Sequence, residues 1–553
     1  MITQIHLQNV RIFDENPYLF DLPAISVFCG TNSSGKSTIL MSLLLLRQTK
    51  GITESFISSR GRLRFIGSQV DLGNYKSFVS HEDLSKNITI GITIKDSISQ
   101  GAYRAIKSYA AGVEDEIDLG KRDAKRVQYF LKSTFNFSAV DSEPGNRRRQ
   151  KGNRSDQQFQ GVLNKAEFEM LDLNNERITN WIVTRKSVES KNYYAIQFPK
   201  KYFVTAYGAL IPELIKDIPD LFPELHEEDQ FTIDENKSND EYVEFRTSLF
   251  GILPNKITIE KVENSSDAKS KSIHRFELPF HPILEAVQRD LQIALESIEY
   301  LGPLRTPAKR YYLTPLDTNP HMDPAGEFLP YVFKDLSQGK RYIINYMPPG
   351  EVEIKKNVSL VSAVNSWIHY IRTGSTEEID SRHSEIEYEQ TKVVLEFKIK
   401  GASGDEQYAL ADSGFGYSQI LPILIRGLIS GAGSTIIVEQ PELHLNPALQ
   451  IRLAEFLVSL TKAGKQVIVE THSEHIVNMI RVLVAEDQSG DLSKKSKIYY
   501  IDNLVGGPCI HELSIDPNGM IPKWPQSFFG EAANLTGRLL RAQKRLKTPH
   551  KAD

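Results

Sequence analysis

The stretch GTNSSGKST, residues 30–38, decides how the rest of the chain is read. It satisfies G-x-x-x-x-G-K-[ST] in full and lies between a predicted strand, LPAISVFCG, and a predicted helix, KSTILMSLLLLRQ. Gly30 and Gly35 let the backbone turn tightly enough for its N–H groups, through Asn32, Ser33 and Ser34, to wrap a β-phosphate. The helix that follows adds the positive end of its dipole. Lys36 is expected to reach the β- and γ-phosphates, and Ser37, followed by Thr38, to ligate Mg²⁺. A Gly/Ser turn ahead of an ordinary helix is the alternative; the complete motif in this setting favours nucleotide binding.

Around this motif the chain runs to 553 residues, more than one hydrophobic core normally supports, so two or more structural units are expected. At 40% hydrophobic residues a sizeable core is available. A net charge of -4 and a pI near 6.4 supply no global basic field, so contact with nucleic acid would have to come from local patches. Cys29 and Cys509 can build neither a disulfide framework nor a cysteine-based zinc site, which fits a reducing compartment. MITQIHLQNVRIF does not read as a signal peptide, and no apolar run approaches the roughly 20 residues of a membrane span. A soluble cytoplasmic protein without membrane contact is expected.

Ile5 and Leu7 give the first residues the alternation of a strand. Between about 50 and 390 the pattern is uneven: short strands such as NITIGITI, a basic loop PGNRRRQKGNR at 144–154, and an acidic, Pro-containing stretch at 211–241. No repeat and no sustained heptad is present, so no coiled-coil arm is expected. An amphipathic helix is expected at 282–297, with Ile283, Leu284, Val287, Leu291 and Ala294 on one face, leading into YLGPLRTPAKRYY. From Lys392 an α/β rhythm returns: strand KVVLEFKI, helix from Tyr417, strand 435–439, helix 447–461, strand 466–471, helix from Ser473 and strand 497–501. This spacing argues for a mainly parallel, helix-covered sheet assembled from both ends of the chain.

Three further motifs fall in that rhythm. STIIVEQPELHLNP, 434–447, runs an apolar strand into Glu439 and then places Gln440 where a P-loop ATPase usually keeps a second carboxylate. LADSGFGYSQILPIL sets Ser413, Gly414, Gly416 and Ser418 before an apolar helix, an arrangement suited to a phosphate and equally to an ordinary Gly-rich helix start. QVIVETHSEH puts His472 at the end of a strand, where a parallel sheet presents side chains to ligands. Alone such a histidine is more often structural; beside these motifs it reads as functional.

Together these residues resemble the split head of an ABC-type ATPase, in the prokaryotic stand-alone AAA branch related to structural-maintenance-of-chromosomes (SMC) heads and to overcoming-lysogenisation-defect proteins. NVRIF at 9–13 is similar to that branch's N-terminal strand signature, and DSGFGYSQILPIL, VEQPELHLNPALQ and GMIPKWPQSFF look most like ATPase subunits of Septu-type anti-phage systems, including retron-associated ones. The resemblance is strong over 1–80 and 295–530. It implies a split P-loop head with a mainly parallel sheet flanked by helices, a large α+β insertion and a short C-terminal extension. The corresponding domains are 1–80 with the P-loop, 81–390 as insertion, 391–502 as the second part of the head, and 503–553 as extension.

The same resemblance implies roles by position, with ATP and Mg²⁺ as cofactors. Glu439 takes the Mg²⁺-associated acid, Gln440 the general-base position, Asn446 the D-loop acid and His472 the switch histidine. Ser413 or Ser418 takes the signature hydroxyl, and Gln69 in GSQVDLG is a candidate for the glutamine near the metal, against a purely structural reading. Glu442 is the nearest alternative acid; it is read either as a base or as a loop-fixing residue. Because a signature serves the nucleotide of the other subunit, a homodimer or higher assembly is implied.

In function the resemblance implies a nucleotide-gated, slowly hydrolysing ATPase that holds a separate HNH-type nuclease in anti-phage defence, and in retrons also a reverse transcriptase with its RNA/DNA product. The alternative is an SMC-like repair or chromosome-tethering ATPase that itself clamps DNA. The residues after His472 hold no D-x-D, and Asp487, Asp491, Asp502 and Asp516 do not cluster, so nuclease chemistry is expected in a partner. Arg147, Arg148, Arg149, Lys151 and Arg154, and in the tail Arg538, Arg541, Lys544, Arg545 and Lys547, could contact phosphates or be solvated charge. Arg305 and Arg310 read as phosphate or subunit contacts or as half-buried structural arginines.

Overall fold

The computed structural model describes residues 1–49, 61–111, 125–141, 159–188, 191–199, 201–202, 242–264, 271–279, 282–313, 324–327, 329–338, 343–376, 386–390, 394–400, 407–412, 415–504 and 507–522. The chain forms two compact units, one of Met1–Asp21 with Thr38–Ile298 and one of Leu22–Ser37 with Glu299–Asp553. The division therefore differs from boundaries at 80 and 390: residues 1–21 and 38–80 leave the P-loop unit, and 299–390 join it.

The first unit is built on a ten-stranded sheet. Its strands are β1 (Ile2–Gln8), β2 (Tyr18–Asp21), β4 (Ile88–Ser99), β5 (Arg126–Asp141), β6 (Phe159–Leu171), β7 (Arg177–Val188), β8 (Lys191–Pro199), β9 (Tyr242–Phe250), β10 (Leu253–Asn264) and β11 (Lys271–Pro279). They run in the order β11-β10-β9-β8-β7-β6-β5-β4-β1-β2, and each pairing is antiparallel. For β6–β7 and β9–β10 the reason is local. Between β6 and β7 the side chain of Asp172 accepts from the backbone N–H groups of Asn174 and Glu176, and Asn175 takes φ 62°; between β9 and β10 Gly251 takes φ 60°. Connections this short return the chain antiparallel, whereas a parallel neighbour needs a long crossover. Phe168 stacks on its cross-strand partner Trp181 with centroids 5.2 Å apart and meets Phe135 edge-on at 5.7 Å, an aromatic row that ties β5, β6 and β7. Such pairs add about 0.5–1.5 kcal/mol beyond their burial. The helix Pro282–Glu296 buries Leu284, Val287, Leu291 and Ala294 as the periodicity predicts, and its Asp290 accepts a 2.7 Å bond from Tyr129.

The second unit carries the α/β rhythm. Its main sheet has six strands in the order β12-β19-β20-β3-β21-β22. These are β12 (Ile298–Leu301), β19 (Thr435–Glu439), β20 (Gln466–Glu470), β3 (Ile25–Gly30), β21 (Ser496–Leu504) and β22 (Gly507–Ser514). β19, β20, β3 and β21 are mutually parallel, because the helices Pro447–Lys462 and Glu474–Glu486 supply the crossovers; β22 turns back antiparallel on β21. β19 and β20 are buried at every position, the mark of a sheet covered on both faces. β3, from the chain's beginning, sits between β20 and β21, with Ile25 opposite both Val467 and Ser496. Gln466 at the buried start of β20 has its amide satisfied by Thr435 Oγ1 at 2.8 Å and the Leu22 carbonyl at 2.7 Å. Trp367, in the helix Leu360–Thr373, meets Phe456 edge-on at 5.1 Å and donates Nε1 to the Met347 carbonyl. Smaller sheets pair β13 (Tyr312–Leu313), β16 (Ile386–Gln390), β17 (Val394–Lys400) and β18 (Gln407–Ala409), and β14 (Ile343–Tyr346) with β15 (Lys355–Ser359).

The expected mainly parallel sheet is therefore corrected: the parallel strands form the core of one sheet, and the larger sheet is antiparallel throughout. Among the described residues no helix is long and apolar enough to cross a membrane.

Candidate functional site

The P-loop connects β3 to the helix Lys36–Thr49. Gly30 takes φ 133° and Gly35 φ 94°, and a Cβ at Gly30 would collide with the Ile501 carbonyl of the neighbouring strand β21, so only glycine fits there. Ser33, exposed, also takes a left-handed φ of 60°, which turns successive N–H groups toward one side of the loop. Ser34 is fully buried and its Oγ has no hydrogen-bond partner among the described residues. Lys36 is only 4% exposed and folds back so that Nζ donates to the carbonyls of Thr31 at 2.6 Å and Gly30 at 3.2 Å. Burial lowers the Lys36 pKa, and Glu470 and Cys29 oppose that shift. An orphan hydroxyl, a lysine held by loop carbonyls and a glycine that no Cβ could replace fit a phosphate chain. Mg²⁺, when bound with ATP, would neutralise phosphate charge beside Ser37.

The Ser37 hydroxyl donates to the carboxylate of Glu470, with its oxygens at 2.9 and 3.1 Å. This contact was not foreseen. Glu470 closes β20, and strand pairing sets it opposite Glu439, the last residue of β19. Both are buried, at 3% and 4% exposure. The Glu439 carboxylate takes a 3.1 Å bond from the Tyr300 hydroxyl, and its backbone carbonyl takes a 2.7 Å bond from Arg305 Nη2. Burial first, and then the Glu470 charge, push the Glu439 pKa up to about 8; burial likewise raises Glu470, which Ser37 and Lys36 pull back down.

Gln440 follows at φ 42°, with its N–H on the Glu470 carbonyl, and its side-chain amide has no hydrogen-bond partner among the described residues. Glu442 is engaged on both oxygens: Oε2 accepts from Thr471 Oγ1 at 2.8 Å and Oε1 from the His472 N–H at 2.7 Å. Of the two readings of Glu442, this geometry is that of a loop-fixing residue. His472 is exposed, and burial of its ring and the Lys36 charge lower its pKa against the pull of Glu442.

The remaining expectations divide. Asn446 caps the helix Pro447–Lys462, its Oδ1 accepting from Leu449 N at 3.0 Å. Ser418 lies in the helix Phe415–Ile429 at 6% exposure, a poor place for a hydroxyl offered to a second subunit; Gly416, half-buried, precedes it. Ser413 and Gly414 lie outside the described residues, as do the basic loop 144–154, the acidic stretch 211–241 and the basic tail. Gln69 belongs to the other unit, where its Oε1 accepts 2.6 Å from Arg47. Arg310 forms a surface pair with Asp412, whereas Arg305 is buried, with Nε and Nη1 lacking partners among the described residues. Asp487 organises a turn, accepting from Lys462, Ser489 and Leu492, and these bonds outweigh its burial to hold its pKa near about 2.

The profile of the AAA ATPase domain family matches residues 1–477, and that of a family described as a protein of unknown function (DUF3696) matches 493–539. No curated protein gives a significant match. Among solved structures the chain is similar to an SMC head bound to the C-winged helix domain of ScpA, at 10% identity over 93% of this chain and 98% of that one, with a TM-score of 0.33. It is similar to the SMC head domain from Thermotoga maritima at 8% identity over 93% and 99%, with a TM-score of 0.31. The SMC head from Pyrococcus furiosus with an extended coiled coil, bound to the C-terminal domain of ScpA, gives 11% identity over 98% and 99%, and a TM-score of 0.31. Likenesses of this size say nothing about function.

Proposed function

The chain belongs to the AAA ATPase domain family, and from that premise we propose that it is a nucleotide-gated regulatory ATPase whose Mg²⁺-ATP occupancy sets its assembly and the activity of a separate nuclease. The observation that carries this reading is residue 440. An amide accepts a proton from water poorly, though it can orient one, and general-base help is worth about 10² to 10⁴ in rate. Glu442, the next acid after Gln440 on that segment, has both oxygens committed to Thr471 and His472. Slow hydrolysis leaves ATP bound long enough to act as a state-setting ligand. The Glu442 clamp couples the end of β19 to the segment after β20. The effector is assigned by resemblance to Septu-type and retron-associated ATPases: an HNH-type nuclease, and in retrons a reverse transcriptase with its RNA/DNA product, held by a dimer of heads.

Co-expression with the adjacent reading frames tests the assignment. A nuclease should copurify, and its cleavage should change on adding ATP and respond to Lys36→Ala. Purification without any nuclease, or a nuclease indifferent to both ATP and Lys36→Ala, would contradict it.

A further inference from the structure

We propose that Glu470, and not Glu439, is the carboxylate that serves the divalent cation at Ser37, so that the metal-side acid has moved from the end of β19 to the end of β20; this rests on the nucleotide site proposed above. Strand order makes the case first. β20 is the immediate neighbour of β3, with Glu470 opposite Phe28 two residues before the P-loop begins, whereas β19 lies one strand further out. Neighbouring strands are about 4.8 Å apart, so Glu470 starts one strand spacing nearer to Ser37 than Glu439 does.

The contacts agree with the order. Ser37 Oγ spends its one proton on Glu470, so a cation that meets the lone pairs of that oxygen is beside the Glu470 carboxylate. Mg²⁺ takes oxygen ligands in a close octahedron and keeps several waters, so a carboxylate there serves it directly or through one water. The Glu439 carboxylate meets the Tyr300 hydroxyl instead, through Oε1, and its backbone carbonyl meets Arg305; both are brought in by the chain at and just after β12 on the far side of β19. Its role is to position that edge. The buried orphan Oγ of Ser34, in the same loop, is independent of the acids and points to a ligand at this loop.

Mn²⁺ binding, read by electron paramagnetic resonance on the full chain saturated with a non-hydrolysable ATP analogue, tests this without reference to turnover. Metal-free binding of the analogue, in EDTA, is measured alongside. Glu470→Gln and Glu470→Asp should each weaken Mn²⁺ by about tenfold or more, as loss of a metal-associated group typically does, and Glu439→Gln by less than about threefold. Metal-free analogue binding should not fall in any of the three, and Glu470→Gln, which removes a negative charge beside Lys36 and the phosphates, should hold or strengthen it. Wild-type Mn²⁺ affinity in the Glu470 variants, or a larger loss in Glu439→Gln, overturns the inference. If Glu470→Gln does not fold, Glu470→Asp set against Glu439→Gln decides. A wild-type chain that binds no analogue at all would instead refute the nucleotide site itself.

Discussion

Gln440 is the residue on which the chemistry turns. Its φ of 42° places it in a conformation that non-glycine residues seldom adopt, and its amide has no hydrogen-bond partner among the described residues, while Glu442 has both oxygens engaged and Glu439 one. Single-turnover hydrolysis should therefore be slow in the wild type, and Gln440→Glu should raise it by about tenfold or more, since a carboxylate base is worth about 10² to 10⁴ when well placed. Glu442→Gln should leave the chemical step little changed but cost one of the two acceptors that hold Thr471 and His472, lowering the melting temperature. Brisk wild-type turnover would refute the first expectation, and loss of all hydrolysis in Glu442→Gln would make that residue the base after all. The P-loop was fully legible because its residues are contiguous and each has one task. Glu470 was not: VETHS is plain in the sequence, but what makes the glutamate matter is its neighbour across the sheet, and strand order is not written along the chain.

At the scale of elements, the period of the sequence identified the crossover units well, from β19 through the helix Pro447–Lys462 to β20, because a buried parallel strand and a capped helix both leave strong local marks. The antiparallel sheet was missed. Its strands alternate only partly, and the turns that set their direction, such as the one at Asp172 and Asn175, are short polar stretches that resemble any surface loop. One junction between elements yields a pH test. Lys465, buried at the start of β20, donates Nζ to the carbonyls of Gly427 and Leu428 in the last turn of the helix Phe415–Ile429, and burial lowers its pKa from 10.5 to about 8. Between about pH 8 and 10.5 the folded chain has shed this proton and the unfolded chain still holds it, so stability rises with pH across that window. The melting temperature of the wild type should therefore gain on that of Lys465→Met through this range, by at most about 3 kcal/mol in stability. A difference that stays flat would show that the ammonium is not desolvated in the fold.

For the whole molecule, the family assignment covers residues 1–477, a span that includes the P-loop and the strands that end in Glu439 and Glu470. Two structural units were predictable from length; where the chain divides was not, because β1 and β2 look like part of the P-loop fold in sequence and join the antiparallel sheet in space. Because Ser418 is buried in its helix, we propose Ser413 as the hydroxyl that serves a contact between subunits. Ser413→Arg should then weaken ATP-dependent association, and Ser418→Ala should not, in the same sedimentation assay. Sedimentation velocity at micromolar concentration, with and without Mg²⁺-ATP, tests whether nucleotide at Lys36 and Ser37 sets the assembly state of this chain. The wild type should shift to a dimer or larger species when Mg²⁺-ATP is added and Lys36→Ala should not; a sedimentation profile that ignores nucleotide in the wild type, or a shift that survives Lys36→Ala, would rule out nucleotide-set assembly.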